Sequence, residues 1–204
     1  IVVANAPEST VVSAAEQTVG LIVALARNIP QAHAALKQGR WERSRWSGVE
    51  LEGKTLGVLG FGRIGQQVAR RAVGLGMQVV AYDPFVADER FRDLGVVHAA
   101  SQDEVLAAAD FLTLHSPLTD ETRGMINRDT IARMKDGARV VNAARGALVD
   151  EAALAEALRS GKLAGAALDV FSTEPYHGPL LELDDVVVTP HLGASTDEAQ
   201  DRAG

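Results

Sequence analysis

From residue 55 onward, short apolar runs alternate with stretches in which apolar residues recur at helical spacing. Such an alternation predicts a parallel sheet that is covered by helices on both faces. The predicted strands cover 55–59, 78–82, 96–98, 111–115, 138–142, 164–170 and 186–189, and the predicted helices between them cover 64–73, 102–109, 127–134 and 151–159. The pattern therefore indicates one doubly wound α/β domain with a parallel sheet of the Rossmann type.

The first part of the chain is predicted to contain a short strand over 1–4 and two helices. Ser13 and Glu16 have the spacing of a capping box, which predicts a helix that opens there and runs to about Arg27. Pro30 suits the first turn of a second helix, because a helix needs no hydrogen bond from that position.

The glycine-rich segment after the first predicted strand carries the strongest chemical signal. Gly60, Gly62 and Gly65 precede a predicted helix, and Asp83 follows the second strand, 18 residues beyond Gly65. In a strand–turn–helix setting this spacing is the fingerprint of dinucleotide binding. The helix N-terminus and Arg63 would attract the pyrophosphate, and Asp83 would accept the ribose hydroxyls and repel a 2′-phosphate. The sequence therefore predicts NAD as the cofactor; a glycine turn beside a solvated aspartate is the alternative.

Composition narrows the range of partners. The formal net charge of -7 disfavours nucleic acid, so a small molecule or another protein is expected. The absence of cysteine removes disulfides, thiolate zinc sites and cysteine nucleophiles, and no metal site is predicted. No stretch is long and apolar enough to span a membrane, and the first residues lack the basic leader of a signal peptide. We therefore expect a soluble, cytoplasmic protein.

Polar residues stand directly after four of the predicted strands, where ligands bind in sheets of this kind. His115 follows the fourth strand, Arg145 the fifth, Asp169 and Glu174 the sixth, and His191 the seventh. We expect all four positions to lie on the edge of the sheet that carries the glycine loop. Each has a simpler alternative, namely a strand-ending histidine, a solvated arginine, acids that cap turns, or an ordinary loop histidine.

Three of these residues together suggest hydride transfer between a nicotinamide and a carbonyl carbon. That reaction needs a proton donor at the oxygen and a cation that holds the substrate. His191 would move the proton, Glu174 would orient and stabilise its imidazole, and Arg145 would bind a carboxylate or polarise the carbonyl. The sequence has no G-x-S-x-G elbow, so hydrolysis has little support.

The chain closely resembles the D-isomer-specific 2-hydroxyacid dehydrogenases. The segments that carry the likeness are 24–31, 53–57, 60–65, 82–84, 141–146, 166–171 and 189–196. The resemblance implies that Arg145, Glu174 and His191 form the catalytic set for a 2-hydroxy or 2-oxo acid, and that Asp169 lies near the nicotinamide amide. The residues then expected at the NAD site are Gly60, Gly62, Arg63, Ile64, Gly65, Asp83, His115, Ser116, Ala143, Ala144, Arg145, Asp169, His191, Gly193 and Ala194.

The likeness also implies a substrate and a place in a longer polypeptide. Segments 40–51 and 191–200 imply D-3-phosphoglycerate, whereas reductases of glyoxylate or hydroxypyruvate share the same three residues. In this family the nucleotide domain is inserted within a substrate domain. Residues 1–204 are therefore expected to be a single NAD-binding domain, with 1–8 near the crossover and the substrate and regulatory parts absent.

Two expectations concern partners. The resemblance implies a homodimer, or a higher homo-oligomer, through the helix near 14–27 and the segment near 40–51. A dinucleotide-sensing interaction protein, like the C-terminal binding protein corepressors, keeps the same fold and residues and is the rival from another class.

Overall fold

The computed structural model describes residues 10–203, so the strand predicted over 1–4 lies outside the described residues. Its strands are β1 (Thr55–Leu59), β2 (Gln78–Tyr82), β3 (Val97–His98), β4 (Phe111–Leu114), β5 (Ala138–Asn142), β6 (Leu163–Leu168) and β7 (Val186–Val188). They form one seven-stranded sheet in the order β3-β2-β1-β4-β5-β6-β7, and every neighbouring pair is parallel. The predicted doubly wound α/β fold is confirmed, and the strand bounds agree to within two residues.

The helices of the described residues connect these strands and precede them. They are α1 (Val11–Arg27), α2 (Ile29–Lys37), α3 (Arg63–Gly74), α4 (Asp88–Asp93), α5 (Gln102–Ala108), α6 (Arg128–Arg133), α7 (Glu151–Arg159) and α8 (Asp197–Ala203), with 3₁₀ turns at Gly146–Leu148 and Pro179–Glu182. The sequence pattern missed α4 and α8. Each is short and mostly charged or polar, and α4 buries only Phe91, so neither shows a helical apolar period.

The capping box predicted for α1 is wrong. The N-cap position is Thr10, whose side chain makes no capping bond, and the helix already includes Ser13. The Ser13 hydroxyl instead lies 2.8 Å from the Thr196 hydroxyl, and Glu16 pairs with Arg71 of α3 at 3.2 Å. Both side chains of the apparent box therefore have tertiary partners, which local spacing does not reveal.

The sheet is buried on both of its faces, as a parallel sheet requires. One face is covered by α1, α3 and α4, whose cluster includes the fully buried Val68 and Phe91. The other face is covered by α5, α6 and α7, whose cluster includes Leu106 and Leu154. Each such side chain contributes roughly 1.5–3 kcal/mol relative to exposure. No helix within residues 10–203 is both long and apolar enough to cross a bilayer.

The strand order reverses direction between β1 and β4, which makes this pair the switch point of the sheet. Chain segments that leave β1 and β4 diverge to opposite faces and open a crevice at their carboxyl ends. The glycine loop leaves β1 there, and His115 leaves β4 beside it, donating its backbone N–H to Leu59 O at 2.7 Å.

Candidate active site

Two of the three loop glycines are required by the packing of the protein itself. Gly60 has a φ of +92°, and a Cβ on it would lie 2.5 Å from the backbone of His115 and Ser116. A Cβ on Gly65 would lie 2.2 Å from Gly60 O. Gly62 differs, because its φ is -68° and nothing lies within 4 Å of a Cβ there. The space beside Gly62, at the N-terminus of α3, is therefore open, and the side chain of any other residue at this position would fill it.

Asp83 is fixed against the glycine loop. Its Oδ2 accepts the Phe61 N–H at 2.7 Å and its Oδ1 accepts the Phe85 N–H at 2.9 Å. A carboxylate oxygen has more than one lone pair, so both oxygens can still accept a ligand hydroxyl. No side chain caps α3 at Gly62, so the first amides of this helix are available to an anion. This combination of anchored carboxylate, open glycine and uncapped helix fits a dinucleotide.

A cavity of about 440 Å³ lies at the switch point and brings together loops that are distant in sequence. Nine residues predicted for the NAD site line it, namely Ile64, His115, Ser116, Ala143, Ala144, Arg145, His191, Gly193 and Ala194. Pro117 also lines it, together with Thr10 and Ala14 from the start of α1. Thr10 and Ala14 were not predicted, because only the packing of α1 across the sheet brings them to the cavity.

A second cavity, of about 290 Å³, is lined by all three residues proposed for hydride transfer, Arg145, Glu174 and His191. Arg145 and His191 also line the larger cavity, so the two spaces adjoin at these side chains. His191 Nδ1 lies 2.8 Å from Glu174 Oε2, and Glu174 Oε1 accepts the Phe171 N–H at 3.0 Å. The hydrogen bond from His191, with that from Phe171, holds the pKa of Glu174 below its usual value. The pair is therefore arranged as an imidazole oriented by a carboxylate.

Arg145 is an exposed residue on a loop that two buried neighbours shape. The buried Asn142, which ends β5, donates from Nδ2 to Arg145 O at 3.0 Å and accepts the Ala144 N–H at 3.1 Å. A Cβ on Gly146 would lie 1.9 Å from Phe171 C, so the loops after β5 and β6 touch backbone to backbone. The sequence shows Asn142 as a polar residue at the end of an apolar strand, but its hydrogen bonds to the loop were not predicted.

Asp169 is a buried residue beneath the candidate site, and its place near the nicotinamide amide stays a prediction. Its side chain is 0% exposed and lines neither cavity. Oδ1 accepts the Leu192 N–H and Oδ2 accepts the Gly193 N–H, both at 2.8 Å. Its backbone oxygen accepts the His191 N–H at 2.8 Å. Asp169 thus lies beneath the turn that carries His191, with its carboxylate already bonded to protein amides.

His115 is a largely buried imidazole at the wall of the larger cavity. Its Nε2 lies 3.0 Å from the hydroxyl of Thr113, a residue that is fully buried. Burial disfavours the charged ring and lowers the pKa of His115 from 6.5 to about 4. The ring is therefore neutral at physiological pH.

Replacing His115 with asparagine is expected to reduce the loss of stability in acid. Between about pH 6.5 and pH 4 the unfolded histidine binds a proton that the folded one does not, so the free energy of unfolding falls as the pH falls. The loss is about 3 kcal/mol, at about 1.4 kcal/mol per pH unit. Urea unfolding at pH 7 and pH 4, for wild type and variant, measures the difference. Asparagine at the exposed His177 is the control, and an equal acid loss in wild type and His115→Asn would contradict the expectation.

Among residues 10–203, no three His, Asp or Glu side chains come close enough to hold a metal ion. The parallel sheet, the glycine loop with Asp83 and the cavity at the switch point define a dinucleotide-binding domain of the kind found in oxidoreductases. The family model "D-isomer specific 2-hydroxyacid dehydrogenase, NAD binding domain" matches residues 19–193. The chain belongs to this family of NAD-dependent enzymes that act on 2-hydroxy acids, which confirms the resemblance and NAD as the cofactor.

The relatives in sequence are longer proteins. D-3-phosphoglycerate dehydrogenase of Methanocaldococcus jannaschii is 55% identical over 205 residues, which cover 100% of this chain and 39% of that protein. The enzyme of the same name from Bacillus subtilis is 50% identical over 201 residues, which cover 98% of this chain and 38% of that protein. The chain thus spans about two fifths of the length of the curated relatives it matches.

Solved structures share the fold over nearly the whole chain. A glyoxylate reductase from Paecilomyes thermophila has a TM-score of 0.91 and 37% identity, covering 97% of this chain and 60% of that one. D-lactate dehydrogenase from Aquifex aeolicus, in complex with NAD and lactic acid, has a TM-score of 0.87 and 35% identity, covering 97% of this chain and 64% of that one.

Proposed function

We propose that this chain is the NAD-binding part of an enzyme that oxidises D-3-phosphoglycerate to 3-phosphohydroxypyruvate. The observation that carries the proposal is the meeting of Arg145, Glu174 and His191 around one cavity that adjoins the dinucleotide cavity. The 50–55% identity to phosphoglycerate dehydrogenases favours this substrate over glyoxylate, since the glyoxylate reductase above is 37% identical.

The three side chains have separate tasks in the proposed reaction. Arg145 binds the substrate carboxylate, because its guanidinium is exposed to both cavities and offers a planar fork of donors. His191 Nε2 takes the proton of the substrate hydroxyl, since Nδ1 is engaged by Glu174. The Glu174 carboxylate keeps the ring oriented and stabilises the imidazolium that forms. NAD, when bound, supplies the hydride acceptor.

The cofactor site is proposed to extend from the glycine loop to the turn after β7. The open backbone at Gly62, the first amides of α3 and Arg63 would hold the pyrophosphate, and Asp83 would hold the adenosine ribose. The nine predicted residues that line the larger cavity would enclose the nicotinamide half. Asp169 contributes from beneath, through the amides of the turn.

The 204-residue chain is expected to bind NADH but to turn over phosphoglycerate poorly. Its dinucleotide loops are complete, whereas it spans 39% of the length of its phosphoglycerate dehydrogenase relatives. NADH fluorescence titration measures binding, with NADPH as the control that the Asp83 carboxylate should repel. Turnover like that of a full-length relative, or equal affinity for NADH and NADPH, would contradict the expectation.

A substrate panel tests the choice of 2-hydroxy acid. The chain, produced together with the remainder of its polypeptide, is assayed with 3-phosphoglycerate and with glyoxylate and hydroxypyruvate as oxo-acid substrates. We expect the highest kcat/KM for the phosphorylated pair. A preference for glyoxylate or hydroxypyruvate would contradict the proposed substrate but not the proposed hydride transfer. Peptide binding without turnover would favour a dinucleotide-sensing interaction protein instead of an enzyme.

A homodimer through α1 and the segment 40–51 is also proposed, and the exposed side chains of α2, which lies between them in the chain, extend this face. The side chains of Ile29, Leu36 and Trp41 are 50%, 54% and 82% exposed, which is unusual for a group of large apolar residues on one stretch of chain. A second copy that covers them would bury this apolar area. Sedimentation of wild type and of Trp41→Glu tests the interface, and a wild-type monomer at all concentrations would refute it.

A further inference from the structure

The buried Asp169 carboxylate organises the turn that carries His191. Besides the amides of Leu192 and Gly193, Asp169 Oδ1 accepts the hydroxyl of Thr189. A charged group without solvent is tolerated only where donors surround it, and here the donors come mainly from 189–193. The hydrogen bonds that satisfy the Asp169 carboxylate are therefore the same bonds that hold this turn in place.

One donor comes from a distant element. Gln17 of α1 donates from Nε2 to the Thr189 hydroxyl at 3.1 Å and to Asp169 Oδ1 at 3.4 Å. An amide carries two N–H groups, so both bonds can form at once. The donation to Thr189 leaves the hydroxyl proton of Thr189 directed at Asp169. Gln17 thus completes a chain of hydrogen bonds from α1 to the turn.

The turn needs this support because His191 has an unusual backbone. Its φ is +57°, in the left-handed region that costs a residue with a side chain free energy. The conformation directs consecutive amides of 191–193 at Asp169, which holds them through its backbone oxygen and its carboxylate. If the bonds that hold the Asp169 carboxylate are weakened, the turn can relax, and the His191 ring moves with it.

We infer that Gln17 is a positioning residue for His191, acting through Thr189 and Asp169. It touches neither cavity, so its effect reaches the site only through these bonds. The effect on hydride transfer rests on the proposed function, whereas the effect on the turn does not. The inference also links α1, which belongs to the proposed dimer face, to the placement of the imidazole.

Two variants of Gln17 test the inference. Gln17→Leu removes both donors at similar volume, and Gln17→Glu places a second carboxylate beside Asp169. The matched control is Glu16→Gln, the neighbouring residue on α1, whose side chain pairs with Arg71 of α3 instead. Amide hydrogen exchange at Leu192 and Gly193, NMR of the His191 ring protons at pH 7, and NADH affinity are compared for all three proteins and wild type.

We expect Gln17→Leu to speed exchange of the Leu192 and Gly193 amides about tenfold, since it removes hydrogen bonds that lead to a charged group. The His191 ring resonances should shift, although nothing in α1 is bonded to that ring, and NADH should bind about tenfold more weakly. Gln17→Glu should act more strongly, because like charges repel. Glu16→Gln should leave all three measurements at their wild-type values.

Wild-type exchange rates at Leu192 and Gly193 together with unchanged His191 resonances in Gln17→Leu would overturn the inference. If Gln17→Leu unfolds, Thr189→Val breaks the same bridge with an isosteric side chain, and the same readouts decide. Failure of wild type to bind NADH would instead overturn the proposed function, while exchange and NMR would still decide the role of Gln17.

Discussion

Substituting His191 with asparagine is expected to lower kcat for phosphoglycerate oxidation about 10²–10⁴-fold, the usual contribution of a positioned acid–base group. Asparagine tolerates a left-handed backbone, and its amide can donate to Glu174, so the turn keeps its shape. The variant therefore removes the proton acceptor with little disturbance of the NAD site. Steady-state kinetics on the chain together with the remainder of its polypeptide measure kcat, and fluorescence titration measures NADH affinity.

The pH profile of kcat distinguishes the loss of the proton acceptor from a loss of folded protein. The wild-type kcat should depend on pH, because the group that accepts the substrate proton must be free to bind it. This pH dependence should disappear in the variant. Glu174→Gln is the companion variant, because it keeps a neutral hydrogen-bond acceptor beside His191 Nδ1 and should lower kcat by a smaller factor. A kcat for His191→Asn within a fewfold of wild type would exclude His191 as the proton acceptor.

Substituting Gly146 with alanine is expected to destabilise the chain by about 3 kcal/mol and to disrupt the site. A Cβ there would lie 1.9 Å from Phe171 C and 2.0 Å from Phe171 O, and neither is a flexible side-chain end that could move aside. The loops that carry Arg145 and Glu174 must then separate, and a misplacement of about 1 Å can cost roughly 10²-fold in rate. Urea unfolding of the chain measures the stability change.

Gly20→Ala is the matched control for this substitution. Gly20 lies inside α1 with nothing within 4 Å of a Cβ, so alanine there should stabilise the helix by about 0.5–1 kcal/mol. Two glycine-to-alanine changes are thus expected to have opposite signs. Equal stability of Gly146→Ala and wild type would contradict the close approach of the two loops.

Local sequence signals predicted most of the fold. β1, β2, β5 and α7 have the predicted bounds, because each apolar run or helical period is framed by polar or glycine residues. Prediction failed at the start of α1, where Ser13 bonds to Thr196, a residue 183 positions away. Local spacing contains no information about a partner so distant.

The candidate site, like the fold, could be predicted where local patterns decide and not where distant contacts decide. The residues after β4, β5 and β7 could be predicted to meet, because parallel strands end at a common edge. The burial of Asp169 and its bonding to Gln17 could not, since both depend on how α1 crosses the sheet. The strand-end residues that line the cavities could be predicted from local patterns, whereas Thr10 and Ala14 and the residues that hold the loops in place depend on the tertiary fold.

Because all seven strands point the same way, the loops of the proposed site share one edge of the sheet, and the opposite edge carries the connections that lead from helices into strands. One of these joins α7 to β6 at Gly161, where nothing lies within 4 Å of a Cβ. A strand of six residues is about 20 Å long, so this turn is far from the cavities. It is therefore a suitable point for inserting a fluorescent reporter or a surface tether that leaves dinucleotide access open.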